Sequence, residues 1–368
     1  MSERLFQAAA ASFEAARTLS RRPAGDPARR RHGHSFRIRA LATAPDDWGG
    51  VPGGAVDALA LALSDVVGPL DYRDLDALLP LPSDARLARW ARDRLAVPGL
   101  AAIELRGAPD RGVQLDAASD RLQVWRAFRF EAAHRLPRVP EGHPCGRMHG
   151  HGFGVTLHAD PEPGAGGSGD EDPDGAALAR AWAPLHDELH QVCLNDIDGL
   201  DNPTSERLAA WIWDRLAPTL PGLRGVIVHE THSAGCHYDG AHYRIWKDLR
   251  FEAGVRLVRA PAGDPRRCLH GHGYRLRLHL SAPLDQVRGW TVDYGDVKRA
   301  FQPVYQRLDH QRLDRLPELE DADPASLARW IRREIGDALP PLDRIDLEPT
   351  PERGVLLTWG ALPPALSL

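Results

Sequence analysis

Apolar and polar residues alternate with period two in several stretches of the chain, for example at 153–157 and 276–280. This period is typical of a strand with one buried face. Other stretches, such as 208–216, carry apolar residues at the spacing of an amphipathic helix. Strand patterns come first, helix patterns follow, and a further strand such as 226–228 closes the series. This order predicts an α+β fold with an antiparallel sheet and helices on one side of it.

The same patterns occur three times along the chain. Three markers recur in a fixed order: Phe-Glu-Ala at 13–15, 130–132 and 251–253, His-Gly-His at 32–34, 149–151 and 270–272, and Leu-x-x-Trp at 87–90, 208–211 and 327–330. Each marker returns after about 120 residues, which is the size of a small domain and not of a solenoid repeat. We therefore expect three tandem units, at residues 1–121, 122–247 and 248–368.

Two helix starts carry capping signals. Asp323 stands before Pro324, and Thr204 stands before Ser205 and Glu206, so both are expected to cap the helices that follow. The stretch 160–175 is rich in glycine, proline and acidic residues. It is expected to form a flexible loop inside unit two.

Composition narrows the class of protein. The chain has 368 residues, a formal net charge of −5 and 43% hydrophobic residues, as ordinary globular proteins have. No uninterrupted apolar run has the length of a membrane span, and the N-terminus lacks a secretory signal pattern. The mild acidity gives no reason to expect a nucleic-acid partner. Four cysteines are too few for a disulfide framework, so a reducing, cytoplasmic setting is expected.

Unit two contains a candidate metal site. Residues two apart on a strand point to the same face, so His149 and His151 present their imidazoles side by side. His134 ends the preceding predicted strand. Three neutral imidazoles with an open fourth position are a catalytic zinc arrangement. The position of His134 is taken by Arg17 in unit one and by Val255 in unit three, so those units are expected to bind no metal tightly.

Unit two also resembles a known family. The resemblance is carried by residues 130–137, 142–151, 194–197, 202–206 and 228–236, which include the spacing Cys-x-x-x-His-x-His. These motifs resemble the 6-pyruvoyl-tetrahydropterin synthase superfamily. The most similar branch is the 6-carboxy-5,6,7,8-tetrahydropterin synthase of queuosine biosynthesis.

The resemblance implies a tunnelling fold, in which three subunits close a β-barrel and two such rings stack. It implies 7,8-dihydroneopterin triphosphate as the substrate and zinc as the group that holds its side-chain hydroxyls. It further implies that Cys145 moves a proton, that Glu230 anchors the pterin ring and that an Asp-His pair assists proton transfer. In this family the cysteine and the Asp-His pair come from different subunits.

The Asp-His pair is absent from unit two, which has His190 and Gln191 in its place, but unit three keeps Asp309 and His310. Glu230 aligns with Pro349 in unit three and with Arg106 in unit one. Unit two therefore lacks the Asp-His pair that unit three keeps, and unit three lacks the equivalents of His134 and Glu230 that unit two keeps. We therefore expect a covalent pseudo-trimer with one active site between units two and three, and a homodimer of such rings.

Two alternatives remain from the sequence. One is a 6-pyruvoyl-tetrahydropterin synthase, which keeps the substrate side chain and releases no acetaldehyde. The other is a non-catalytic scaffold that binds a pterin or a purine. Arg135, Arg147 and His143 are candidates for contacts with the triphosphate.

Overall fold

The computed structural model describes residues 2–22, 24–44, 54–161 and 175–360. The expected loop 160–175 therefore lies mostly outside the described residues. Unit one contains five strands and two helices: β1 (Arg4–Arg17), β2 (His32–Thr43), α1 (Gly54–Val67), β3 (Arg73–Asp74), α2 (Asp84–Arg94), β4 (Leu100–Ala108) and β5 (Arg111–Asp116).

Unit three repeats this order, and unit two repeats it without a two-residue strand among its described residues. Unit two contains β6 (Leu122–His134), β7 (His149–Ala159), α3 (Ala176–Leu189), α4 (Ser205–Leu216), β8 (Leu223–Thr231) and β9 (Ala234–Tyr238). Unit three contains β10 (Tyr243–Val255), β11 (His270–Ser281), α5 (Tyr294–Leu308), β12 (Gln311–Arg312), α6 (Pro324–Ile335), β13 (Leu342–Thr350) and β14 (Arg353–Thr358). The predicted α+β order is confirmed in each unit.

Twelve of the described strands close into one antiparallel barrel. The ring runs β1, β2, β4 to β11, β13 and β14, and β14 pairs with β1. The units join through the pairs β5–β6, β9–β10 and β14–β1. The two-residue strands β3 and β12 add parallel pairs to β1 and β10. The expected covalent pseudo-trimeric barrel is therefore confirmed, and its three joints are backbone ladders.

The unit boundary after residue 247 falls inside β10, which starts at Tyr243. A tight turn joins β9 to β10, where the amides of Ala241 and His242 donate to the carboxylate of Asp239. We therefore propose to draw the units at 1–121, 122–242 and 243–368, since a turn separates packing units better than a point within a strand does.

Equivalent aromatic pairs mark the threefold repeat in the core. Each pair joins the first two strands of a unit with stacked rings: Phe13–Phe36 at 4.8 Å, Phe130–Phe153 at 5.1 Å and Phe251–Tyr274 at 4.8 Å. The helices cover this outer face of the barrel with a continuous apolar core. A smaller apolar cluster, which includes Phe6 and Leu356, lies on the opposite face of the sheet.

The predicted helix caps are present. The side chain of Thr204 accepts from the amide of Arg207 at the start of α4, and that of Asp323 accepts from Ala325 and Ser326 at the start of α6. Across the described ranges, no helix combines the length and the apolar character that a membrane span needs.

Candidate metal centre at the junction of units two and three

Three histidines meet at one end of β6 and β7. His134 is the last residue of β6 and faces His149, the first residue of β7, while His151 faces Ala132. The ring centroids of the three imidazoles lie 4.5 to 5.2 Å apart. The cluster arises because the antiparallel register brings the end of β6 beside the start of β7. Side chains alternate between the two faces of a strand, so His149 and His151 both lie on the face that His134 occupies.

The surroundings of His134 fix which nitrogen can bind a metal. Its side chain is fully buried, and its Nδ1 lies 3.1 Å from the carbonyl oxygen of Pro203. A carbonyl only accepts, so Nδ1 carries the proton and Nε2 keeps its lone pair. Burial lowers the pKa of His134, which favours the neutral ring. Nε2 is buried with no hydrogen-bond partner in the described chain, as a metal ligand would be.

Glu230 completes the cluster from the end of β8. Its Oε1 lies 3.4 Å from Nε2 of His151 and 3.7 Å from Nε2 of His134. Ligand atoms of all four residues lie within 4.8 Å of one another. This set fits a divalent cation of the zinc type, which takes nitrogen and carboxylate ligands in a tetrahedron. Sequence reasoning assigned Glu230 to the substrate alone, because the register that brings β8 beside the histidines is a long-range property.

The equivalent position in unit one holds an ion pair. The guanidinium of Arg17 donates to Asp84 at 2.7 Å and to the carbonyl of Pro82 at 3.0 Å. Pro82 corresponds to Pro203 of unit two, so the cation of Arg17 takes the place and the carbonyl partner of His134. In unit three the position is occupied by the apolar Val255, which is 2% exposed.

The register also corrects one alignment. Arg37 pairs with Arg106 as Gly154 pairs with His229, so Arg106 matches His229 and not Glu230. The residue of unit one that matches Glu230 is therefore Gly107. A side chain there would meet Asp84, because a Cβ added to Gly107 would lie 2.8 Å from its carboxylate.

The segment of unit three before α5 bonds to the start of α4 in unit two. The carboxylate of Glu206 accepts from the amide and hydroxyl of Thr291 at 2.8 and 3.0 Å. Thr204 donates to the carbonyl of Gly289, and the hydroxyls of Ser205 and Tyr294 lie 2.9 Å apart. Since α4 starts beside the Pro203 carbonyl that holds His134, these bonds tie the two units together next to the cluster.

Cys145 lies in a short 3-10 turn between His134 and His149, and it is half-buried. Its amide donates to Nδ1 of His143, whose Nε2 lies 3.3 Å from Asp293 of unit three. Burial raises the pKa of the Cys145 thiol, and the carboxylates of Glu230 and Asp293 raise it further. The described residues therefore keep Cys145 a thiol, and a thiolate there needs added positive charge.

Asp309 and His310 form a hydrogen-bonded pair at the end of α5. Nδ1 of His310 lies 2.9 Å from Asp309, whose other oxygen accepts from the amide of Glu252 at 3.0 Å. His310 has a left-handed backbone with φ of 57°, and its side chain is 76% exposed. The partners of this pair, Glu252 and Tyr305, belong to unit three. Within the described ranges, no hydrogen bond joins the pair directly to Cys145.

A cavity lies between units two and three, and sequence neighbours of Glu230 together with Tyr305, the partner of Asp309, line it. It measures about 780 Å³ and lies between the β8–β9 turn of unit two and α5 of unit three. His232 and Ser233, just after Glu230, form one wall, and Tyr305, the partner of Asp309, forms another. Both lysines of the chain, Lys247 and Lys298, line it. Arg135, Arg147 and His143 line a separate cavity of about 600 Å³.

A closed pseudo-trimeric barrel with a three-histidine cluster at a unit junction defines a T-fold protein with a candidate metal centre. The family model of 6-pyruvoyl tetrahydropterin synthase matches residues 123–241 and 244–358, more than half of the chain. The chain therefore belongs to the 6-pyruvoyl tetrahydropterin synthase family, whose homologues are pterin lyases.

Two curated relatives are similar to the chain over one unit. A 6-carboxy-5,6,7,8-tetrahydropterin synthase of Synechocystis sp. is 39% identical over 119 residues, 31% of this chain and 91% of that protein. A dihydroneopterin monophosphate aldolase of Pyrococcus furiosus is 29% identical over 94 residues, 25% of this chain and 79% of that protein.

Solved structures give weaker similarities. The 6-pyruvoyl tetrahydropterin synthase of Caenorhabditis elegans is 19% identical and matches 32% of this chain and 95% of that one, with a TM-score of 0.29. Uricase from Arthrobacter globiformis is 12% identical and matches 61% of this chain and 80% of that one, also with a TM-score of 0.29. Both scores are below 0.5, so neither similarity bears on the function.

Proposed function

We propose that the chain is a zinc-dependent 6-carboxy-5,6,7,8-tetrahydropterin synthase with one active site, shared by units two and three. The observation that carries this proposal is the cluster of buried His134 with half-buried His149 and His151 in unit two. Cys145 lies in the turn between the two strands that carry them, and the segment of unit three that holds Thr291 bonds to Glu206 nearby. The similarity to the Synechocystis synthase supports the reaction class. The substrate is 7,8-dihydroneopterin triphosphate.

The three histidines would hold the zinc ion, and Glu230 offers a carboxylate beside them. Bound zinc would supply a Lewis acid for the hydroxyls of the substrate side chain and positive charge next to Cys145. The thiolate of Cys145 then takes a proton from that side chain. The buried Nδ1 contact of His134 with Pro203 keeps the ring oriented throughout.

The pterin ring fits the cavity between the β8–β9 turn and α5. Glu230 lies two residues before His232, which lines this cavity. A carboxylate that turns from the histidines towards the ring can accept paired hydrogen bonds from the guanidine-like edge of the pterin. Lys247 and Lys298 place positive charge in the same cavity, where an anionic substrate needs it. Burial lowers the pKa of Lys247, and the charge of Lys298 lowers it further, so a bound anion would relieve their repulsion.

Asp309 and His310 serve as the proton relay in this proposal. Asp309 holds Nδ1 of His310 and leaves Nε2 for proton transfer. The pair is linked through Tyr305 to the wall of the cavity. Unit one closes the ring and stabilises it, because its cation Arg17 fills the position that a metal ligand takes in unit two.

Product analysis tests the proposal. The full-length zinc-loaded protein is incubated with 7,8-dihydroneopterin triphosphate, and the pterin product, acetaldehyde and released triphosphate are measured. We expect a carboxylated pterin and one acetaldehyde for each substrate consumed. A retained side chain with no acetaldehyde would assign the chain to the pyruvoyl branch. Tight substrate binding with no turnover would make it a scaffold and refute the proposal.

A further inference from the structure

A second polar cavity lies in the mouth of the barrel, apart from the metal centre. It measures about 380 Å³ and opens where the hairpins β4–β5, β8–β9 and β13–β14 turn. Pro109, His232 and Pro351, one residue from each hairpin, stand at its rim. All three units therefore contribute to it.

Five arginines point into this cavity, and all belong to units one and three: Arg37, Arg39, Arg106, Arg275 and Arg277. The pairing register identifies the matching residues of unit two, which are the uncharged Gly154 and Thr156 for the β2 and β11 arginines. His229 matches Arg106, and burial lowers its pKa to about 4, with Arg277 adding to the effect. The positive charge is thus confined to the two units that lack the histidine triad.

Carboxylates compensate this charge only in part. Glu348 is shared by Arg39 and Arg275, at 2.7 and 3.5 Å. Asp248 is likewise shared by Arg275 and Arg277.

Glu104 pairs with Arg106 at 2.7 Å. The partner of Arg37 is the carbonyl oxygen of Pro351 at 2.6 Å, and no carboxylate within the described ranges pairs with it. Among the described residues, five guanidinium groups therefore face three carboxylates in these ion pairs. Arg275 is exposed, and Arg277 is 8% exposed.

We propose that the barrel mouth binds a phosphate-type oxyanion between the guanidinium groups of units one and three. The planar fork of arginine matches such oxyanions with paired hydrogen bonds. The cavity has room for inorganic phosphate or a short polyphosphate. An oxyanion there neutralises the surplus charge and bridges the joint between β14 and β1. The site lies apart from the metal centre, and it shares Arg275 and His232 with the cavity proposed for the pterin ring.

The experiment measures anion binding by calorimetry on the full-length, metal-loaded protein. Inorganic phosphate and tripolyphosphate are titrated separately, in a chloride buffer of constant ionic strength, and the tighter of the two identifies the occupant. The test variant is Arg37→Gln/Arg39→Gln. The matched control is Arg89→Gln/Arg92→Gln, which removes two arginines from the outer surface of the same unit, where both pair with Asp120. His149→Ala/His151→Ala reports any binding at the metal centre.

We expect one site in the wild type, weakened at least about tenfold in the test variant and unchanged in both controls, since hydrogen bonds to charged groups account for such factors. Should the double variant fail to fold, the single variant Arg37→Gln takes its place, because the loss of Arg37 leaves no carboxylate of the described residues unpaired. It should show a smaller loss of anion affinity. Equal affinity in the test variant and the wild type would overturn the proposal. So would loss of binding in the His149→Ala/His151→Ala variant, or no binding by the wild type at millimolar anion.

Discussion

Asp293 of unit three lies 3.3 Å from Nε2 of His143 of unit two, and the same imidazole accepts the amide of Cys145 through Nδ1. One histidine therefore links the turn that carries the cysteine to the neighbouring unit. The carboxylate of Asp293 also caps α5 by accepting from the amide of Gly295. The position of Cys145 thus depends on how unit three packs onto unit two, as a shared active site requires.

The metal content should depend on unit two alone. We expect about one zinc per chain in the wild type, and almost none in His134→Ala or His149→Ala/His151→Ala, because at most two of the three histidine ligands then remain. Elemental analysis after dialysis against a weak chelator measures this. The matched control is His270→Ala/His272→Ala, which changes the same tripeptide in unit three and should leave the content unchanged. Equal losses in units two and three would contradict a single centre.

Substitution of either of two residues should lower turnover without removing the metal. Cys145→Ala and His310→Ala should each lower kcat by about a hundredfold or more, the range for lost acid-base catalysis, while the zinc content stays the same. Cys268→Ala is the control, since Cys268 of unit three is exposed. If His310→Ala keeps full kcat, the relay does not come from unit three, and the shared site is refuted.

The junction of units two and three should lose stability when Thr291 is shortened. Glu206 is 2% exposed, and burial raises its pKa while the amide and hydroxyl of Thr291 lower it. Thr291→Ala leaves this carboxylate one hydrogen bond short, which should cost about 1 to 3 kcal/mol in the free energy of unfolding. Chemical denaturation measures it.

A suitable control for that measurement is Thr219→Ala, since the hydroxyl of Thr219, in the turn after α4, donates to the Leu216 carbonyl at the end of that helix. We expect a smaller loss there. If both variants lose the same stability, Thr291 does not act through the buried carboxylate of Glu206.

Local patterns in the sequence predicted the repeat, the α+β order, the helix caps and the grouping of His149 with His151. Each of these depends on residues close together in the chain. The approach of Glu230 to the histidines and the pairing of Arg17 with Asp84 depend on how distant strands and helix ends meet. No local periodicity encodes that meeting.

The alignment of Arg106 with Glu230 was wrong by one residue for the same reason. The strand β4 carries none of the three sequence markers, so only the pairing of Arg37 with Arg106 fixes its register. The arginines of the barrel mouth were likewise missed, because a sequence shows alternation on a strand but not which face of the sheet closes around a lumen.

A buried charge cluster inside the barrel predicts a pH dependence of stability. Burial alone would raise the pKa of Asp346, but Arg344 and His279 more than offset it and hold the pKa well below the ordinary 3.8. Arg344 donates to it at 2.6 Å, and Nε2 of His279 lies 3.0 Å away. Because the pKa is lowered by folding, the carboxylate stabilises the fold above its ordinary pKa and loses this contribution as the pH falls below it.

Asp346→Asn should therefore cost about 3 to 5 kcal/mol near neutrality, since it removes the buried charge that pairs with Arg344 and His279. The difference in unfolding free energy between wild type and variant should shrink from about pH 5 to about pH 3. Denaturant titrations at several pH values measure it. Asp337→Asn, in the short turn after α6, serves as the control and should show no such trend. A constant difference over this range would contradict the assigned pKa direction.

The ion pair of unit one can be replaced by the matching residues of unit two, and this replacement should create a second metal site. Arg17 stands where His134 stands in unit two, its carbonyl partner Pro82 matches Pro203, and His32 and His34 already lie side by side with ring centroids 4.8 Å apart. Arg17→His alone would leave the buried Asp84 unpaired, which is costly. Arg17→His/Asp84→Ser replaces both members with the residues of unit two, since Asp84 matches Ser205.

This double variant should raise the zinc content from about one to about two per chain, because a third imidazole completes a tetrahedral site with one open position. Cobalt substitution gives an independent reading, as the visible absorbance of tetrahedral cobalt should double. Turnover should stay at the wild-type level, because unit one lacks a residue equivalent to Cys145. A folded variant that still holds one zinc would show that the carboxylate of Glu230, matched in unit one by Gly107, is a required ligand and not an auxiliary one.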